Sequence, residues 1–326
     1  MMITSVVQLP PNRDDWSWTT LLTYHNGSRF FESALSSVSI ALQQLIDCTS
    51  PDHHIEVLVV DDCSSEDEDA KLRELATRFA LPPCCSMTIV RLAVNSGVSA
   101  ARYEGLRRTG RSFVHIMDQD DEVAPDFYAS VLARYANAKH ADAGETLWIT
   151  GCEHIDAKDA VTRTDRLSSS ERSTRRLNDV NRWLSEGNQV HGSPGMVVLS
   201  PALRDGAEQY FKLLDRRVDG SDDYWMFIYL LKKGAHFVVA DELGFRYRQH
   251  ESNQSIGHDF LTSAQQGLVI MHERGLLSER EYSIVAARYR LLTRLQRYSR
   301  SRPIRLLAYL LSPLATYRLI RARLTS

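Results

Sequence analysis

The sequence predicts an α/β fold built on a doubly wound, mostly parallel sheet, and three observations carry that expectation. Strand-length runs such as "IEVLVVDD" (Ile55 to Asp62) and "FVHIM" (Phe113 to Met117) are almost continuously apolar instead of alternating. Most of these runs are followed by a segment with apolar residues at three- and four-residue steps. The runs end in polar clusters, "TYHN", "DD" and "DQDD". Strands that are apolar on both faces need cover on both, which the helices of βαβ units supply. Ligands collect beyond the carboxyl ends of such strands, so the clusters stand where a site belongs.

In chain order, "TTLLTYHN" (Thr19 to Asn26) begins as a β-favouring run. Phe31, Leu35, Val38, Leu42 and Leu45 then mark one face of an amphipathic helix. After "IEVLVVDD", Ser65 and Glu68 form a capping-box pattern ahead of Leu72, Leu75, Ala76 and Phe79. The alternation continues with the strand "MTIVRL", a helix through "VSAARYEGLRR", the strand "FVHIM", and a helix opened by Pro125. Beyond Trp148 the pattern loosens: Asp156 to Asn181 reads as loop with some helix. "HGSPGMVVLS" reads as a Gly-rich turn feeding a strand, and "SDDYWMFIYLLKKG" as a capped apolar helix. "HFVVADELGFRYRQHESNQS" reads as a strand, a turn, a second short strand and a polar loop.

The 326 residues suffice for one large domain or two modest ones, and 43% apolar with 25% charged residues is a globular composition. The net charge of −2 gives no general signal for nucleic acid, but it is unevenly spread. Ten arginines and no acidic residue lie between Ala286 and Ser326, which leaves an acidic body with a basic tail. The five cysteines form no C-x-x-C, so neither a disulfide framework nor a zinc site is indicated, and a reducing cytosol is expected. The N-terminal stretch lacks a basic region followed by an apolar one, so no signal peptide is expected.

Asp118, Asp120, Asp121 and Glu122 crowd one strand end. Like charges so close repel strongly unless a cation sits among them. Carboxylate oxygens are hard ligands suited to Mg²⁺ or Mn²⁺, ions that keep open positions for substrate phosphates. A solvated acidic loop is the competing account, but the position after a buried strand and the second acidic pair, Asp61 and Asp62, favour a site. An EF-hand fails, because Val123 and Ala129 stand where Gly and Glu are required. A phosphatase-type D-x-D-x-[TV] fails at Glu122, and neither a P-loop nor G-x-G-x-x-G occurs. A nucleotide bound here would need a metal to neutralise it.

The order "TYHN", "VLVVDDCSSED", "NSGVSAARYEGL" and "FVHIMDQDD" resembles the nucleotide-sugar half of inverting family 2 glycosyltransferases of the GT-A fold. The later "SDDYW" and "YRQHESNQS" are similar to acceptor-side motifs of bacterial members that build surface polysaccharides, rhamnosyltransferase-like ones included. The resemblance implies a GT-A domain over 1–258, with a nucleotide-sugar half to 140 and an acceptor half from 141, followed by a helical basic region over 259–326. It implies nucleotide-sugar contacts from Thr23, Tyr24, Asp61, Asp62, Asn95, Gly97, Arg102, Asp118 and Gln119. Asp61 and Asp62 would take the base and ribose; Asp118, Asp120 and His250 would serve Mn²⁺ or Mg²⁺ on the diphosphate; Asp223 would be the catalytic base. The chain departs from the family at Tyr24 and His25, at Cys63 and at Tyr103.

Other readings of the same residues stand beside these. Asp222 and Asp223 also suit a helix N-terminus. Arg246 and Arg248 would face phosphates or be surface arginines; Tyr224 and Trp225 would stack on a sugar or belong to the core. "GSPGMV" (Gly192 to Val197) would let the backbone approach a ligand or simply turn the chain. The Arg-rich tail, broken by Arg305 and Pro313, is too short to span a bilayer and suits either an anionic membrane surface or packing on the catalytic body. The expected partners are a UDP- or dTDP-linked donor and a glycan or lipid-linked glycan acceptor, with the protein cytoplasmic or peripheral on the inner face of the membrane. A sugar-phosphate nucleotidyltransferase is disfavoured because no Gly-rich basic N-terminal loop is present. A non-catalytic carbohydrate-binding protein is disfavoured by the coexistence of the D-x-D loop and Asp223.

Overall fold

The computed structural model describes residues 16–49, 53–110, 112–138, 144–190, 192–214, 218, 220–251, 253 and 259–297. Strand β1 (Ser17–Tyr24) leads into α1 (Ser28–Asp47), β2 (His54–Asp61) into α2 (Glu66–Arg78), and β3 (Cys85–Arg91) into α3 (Val98–Arg108). Strand β4 (Phe113–Asp118) and the two-residue β5 (Glu122–Val123) precede α4 (Phe127–Asn137). The second half holds β6 (Thr146–Asp156), β7 (Val161–Asp165), α5 (Glu171–Leu177), α6 (Val180–Glu186), β8 (Val197–Leu199), α7 (Arg204–Leu213), α8 (Asp222–Lys232) and β9 (His236–Gln249). Helices α9 (Asp259–Glu273) and α10 (Glu279–Arg297) close the described chain.

One nine-stranded sheet runs β3-β2-β1-β4-β8-β6-β9-β5, with β7 paired to β6. The long pairings, β1 with β2 and β4, β2 with β3, and β6 with β9, are parallel. Short antiparallel contacts from β8 join the two parallel groups. The run Val57–Asp61 is wholly buried, as a strand covered on both faces must be. Register then assembles the site: Tyr24 lies beside Asp61, and Thr23 beside Asp118.

The expected elements of the first half are present, and the Ser65 hydroxyl accepts from the Glu68 N–H as the capping pattern predicts. The helix expected from Pro125 starts at Phe127 behind Asp126. Two expectations for the second half are corrected. The segment after Asp156 forms a hairpin strand, β7, before its helices. The turn expected within "VVADELGF" is instead an irregularity inside the continuous β9, where the β6–β9 register shifts around Thr150. Gly151 makes this possible, because a Cβ there would lie 1.9 Å from the Glu242 carbonyl oxygen.

Helices α9 and α10 join the same core through Leu261, Leu268, Met271, Val285 and Tyr289. Full burial of side chains of this size contributes about 1.5–3 kcal/mol each, so these helices are integral to the body. The basic tail beyond 297 lies outside the described residues. Among the described residues no helix is long and apolar enough to cross a membrane.

Candidate active site

A cavity of about 430 Å³ opens at the carboxyl ends of β1, β2 and β4 and is closed opposite by the 192–194 turn and the start of α8. Among the predicted residues, Thr23, Tyr24, Asp62, Asn95, Gly97, Arg102, Asp118, Gln119, Asp120, Asp223 and His250 line it. Asp61 does not. Its carboxylate is fully buried, accepts the Ser64 N–H at 2.9 Å and faces Arg91 Nη1 at 3.3 Å. The expectation that Asp61 meets the base or ribose is therefore corrected: it shapes the turn after β2.

Asp62 holds the opposite loop. Its two oxygens accept the N–H groups of Ser96 and Gly97, each at 2.7 Å. Gly97 has φ +89°, which fits glycine and places the chain end at the start of α3. Gln119 braces β1: its Oε1 accepts from the His25 N–H at 2.7 Å, and its Nε2 donates to the His25 carbonyl at 3.1 Å. The Tyr24 hydroxyl turns behind the sheet to Glu68 Oε2 at 3.2 Å, leaving its other atoms to line the cavity.

The crowded carboxylates prove to be separately partnered. Asp118 Oδ1 accepts from Thr23 Oγ1 at 3.0 Å and from Arg102 Nη2 at 2.8 Å. Asp120 Oδ2 meets His250 Nε2 at 2.7 Å. Asp121 is buried beneath the cavity, accepting from Ser193 Oγ at 2.6 Å and the Arg248 N–H at 2.9 Å. Burial first, then the charges of Asp120 and Asp118, push its carboxyl well above the ordinary range. Glu122 pairs with Arg246 at 2.6 Å and Arg248 at 2.5 Å.

These pairs overturn both readings of Arg248, phosphate contact and surface arginine. Its guanidinium is 1% exposed, donates to the Asp120 carbonyl at 2.9 Å and lies 4.8 Å over the Phe30 ring. It fastens the acidic loop from behind. Tyr247 between the two arginines lines the cavity instead, as strand alternation demands: residues i and i+2 share a face and i+1 takes the other. That period was the legible signal. Tyr224 and Trp225 are core, with the Tyr224 hydroxyl donating to the Trp183 carbonyl at 2.8 Å.

On the far wall, Asp222 and Asp223 occupy the first turn of α8, where the helix dipole favours negative charge. Asp222 is buried and receives Arg102 Nη1 at 2.6 Å, so one guanidinium bridges Asp118 and Asp222. Asp223 lines the cavity with Asn188 Nδ2 3.5 Å from its Oδ2. Burial, then the Asp222 charge, pushes the Asp223 carboxyl up to about 7, against the pull of Arg102. A base near neutrality is the property proton abstraction requires. His25, Asn188, Tyr247 and Asn253 received no role from sequence; His25 and Asn253 line the cavity from irregular segments that carry no periodic signal.

Among the described residues no group of three His, Cys, Asp or Glu side chains is gathered to hold a metal ion. Asp120 and His250 provide two adjacent donors, while Asp118 is committed at Oδ1 to Arg102. This donor set fits Mg²⁺ or Mn²⁺ held jointly with a diphosphate and water, in keeping with ions that use few protein ligands at phosphate sites.

A parallel sheet with this acidic edge and a carboxylate opposite agrees with the glycosyltransferase resemblance. The chain belongs to glycosyl transferase family 2, whose sequence model matches residues 23–184. Among solved structures, S. aureus TarS 1–349 in complex with UDP-GlcNAc is similar with a TM-score of 0.55 and 15% identity, over 88% of this chain and 74% of that one. The same S. aureus fragment in complex with UDP gives 0.53 and 15% identity, over 94% and 80%. S. aureus TarS itself gives 0.53 and 15% identity, over 88% of this chain and 44% of that one. At that identity the likeness establishes the GT-A-like fold alone. No curated protein sequence matches the chain.

Proposed function

We propose that this glycosyltransferase is metal-dependent and inverting, and moves a sugar from a nucleoside-diphosphate donor to a hydroxyl of a glycan. The observation that carries the reading is one cavity with the Asp120–His250 pair on one wall and Asp223 on the other. The loop fixed by Asp62, with Asn95 and Gly97, would border the nucleotide, and Thr23, Tyr24 and Arg102 would border the ribose and phosphates. UDP is the favoured nucleotide, because the similar TarS structures hold UDP-GlcNAc and UDP; dTDP presents the same imide edge. Asp120 and His250 would hold a divalent cation, which would supply positive charge to the leaving diphosphate.

Asp223 accepts the proton of the acceptor hydroxyl as that oxygen attacks the anomeric carbon, and single displacement from the face opposite the diphosphate inverts the centre. Arg102 fixes Asp222 beside it and keeps Asp118 oriented toward the donor. The acceptor fits a lipid-linked glycan of surface polysaccharide synthesis, since the Arg-rich stretch after residue 297 suits an anionic membrane surface.

Titration calorimetry with UDP, with and without Mn²⁺, tests the reading. Manganese-assisted uptake is expected for the wild type and is expected to vanish in Asp120→Asn. A wild type that shows no manganese-assisted binding of any UDP, dTDP or GDP compound overturns it.

A further inference from the structure

The first turn of α8 is held from outside the nucleotide-binding half. Ser221, its N-cap, places Oγ 3.1 Å from Ser263 Oγ on α9. Gly267 of α9 packs so tightly on Trp225 that a Cβ would lie 2.3 Å from its indole nitrogen. Tyr224, immediately after Asp223, receives Arg288 of α10: Nη1 lies 3.1 Å from the tyrosine hydroxyl, and the guanidinium carbon 5.3 Å from the ring centroid.

Arg288 is only 7% exposed. The same Nη1 donates to the carbonyls of Trp183 at 2.9 Å and Leu184 at 2.8 Å, in the last turn of α6. A cation there satisfies the Leu184 carbonyl, adds to the Trp183 carbonyl that already accepts the Gly187 N–H at 3.1 Å, and complements the negative end of the helix dipole. The chain then leaves α6 through Gly187 at φ +108° and presents Asn188 to Asp223. The Asn188 amide is oriented unambiguously: its oxygen accepts the Val190 N–H at 3.0 Å, so its nitrogen faces the Asp223 carboxylate.

We propose that Arg288 is a positioning residue for Asp223, acting through Asn188 at the α6 terminus and through Tyr224 on α8, so that the C-terminal helices complete the active site. The inference rests on the reading of Asp223 as the catalytic base. Two donors that favour the charged carboxylate depend on this brace: the Asn188 amide and the Tyr224 backbone N–H. The other charged groups acting on Asp223 are Asp222 of α8, Arg102 of α3 and Asp118 of β4. None of these contacts Arg288.

The test compares full-length Arg288→Met, Arg288→Lys, Asp223→Asn and the exposed control Arg290→Met. It reads transfer kinetics against pH, manganese-assisted UDP binding and thermal unfolding. Arg288→Met is expected to lower kcat on the order of tenfold to a hundredfold, as misplacement of a reacting group does, while KM for the donor and UDP binding stay at wild-type values. Its acidic limb is expected to move to higher pH, because losing donors to a carboxylate raises its pKa. Arg288→Lys is expected to recover part of kcat, and Arg290→Met to match the wild type. Arg288→Met with wild-type kcat and limb, beside an inactive Asp223→Asn, overturns the inference alone. Parallel loss of UDP binding, kcat and thermal stability with an unmoved limb overturns it in favour of a purely structural role. Wild-type turnover in Asp223→Asn removes the base reading and this inference together.

Discussion

At the scale of single residues, most charges of the site are tied to specific partners, and the proposed base is met by the Asn188 amide. Asp223 faces no cation of its own, and burial with the neighbouring Asp222 lifts it to about 7. The base works only when deprotonated, so kcat/KM for transfer is expected to fall as pH drops below about 7. Asp223→Asn is expected to cost on the order of 10²–10⁴ in turnover, measured by donor consumption with acceptor present. Arg248 makes the opposite case. The sequence left it as a phosphate contact or a surface arginine, yet it stands behind the acidic loop with Glu122 and Asp159. Arg248→Met leaves Glu122 without that partner in a buried setting, so a loss of about 3–5 kcal/mol of stability is expected in denaturant unfolding.

At the scale of elements, two glycines set how closely strands and helices approach. A Cβ on Gly105 of α3 would lie 2.2 Å from Leu21 Cδ1 of β1, so the helix that carries Arg102 rests directly on the sheet. At Gly151 the obstacle is backbone, the Glu242 carbonyl, which cannot swing aside as a side chain can. Gly151→Ala is therefore expected to be the more damaging change, costing about 1–3 kcal/mol or more by chemical denaturation, while Gly105→Ala is expected to be partly absorbed by a Leu21 rotamer. Because β9 leads into His250, Gly151→Ala is also expected to weaken manganese-assisted UDP binding. Helix α8 shows why a helix-end role and the proposed catalytic one are compatible: the first turn, whose dipole favours Asp222 and Asp223, also stands at the cavity wall.

At the scale of the whole molecule, the carboxylates fall into two groups with opposite pH behaviour. Asp121, Asp222 and Asp223 are raised, chiefly by burial. Their favourable contribution is present below the unfolded value of 3.8 and is lost as pH rises toward the folded values, which for Asp223 is about 7. Glu68 is the reverse: burial opposes its charge, but hydrogen bonds from Lys71, Ser28 and Tyr24 outweigh it and hold the carboxyl at about 2. Its contribution is present above 4.5 and is lost as pH falls through about 2. The metal-free protein is thus expected to lose Tm on both sides of a mildly acidic optimum, and Asp223→Asn to raise Tm more at about pH 8 than at about pH 5. Much of this molecule could be read from its residues in order. Periodicity in 19–45, 55–79 and 113–137 is a local property, and it announced the strands, the helices and the acidic strand ends, Asp120 among them, while Asp223 and His250 became candidates through the family resemblance. Distance in space is not local. Arg102 meets Asp222 across 120 positions and Asp120 meets His250 across 130. Only strand register, burial and the packing of α9 and α10 decide that Asp61 turns inward, that Arg248 stands behind the loop, and that Arg288 reaches the helix that carries Asp223.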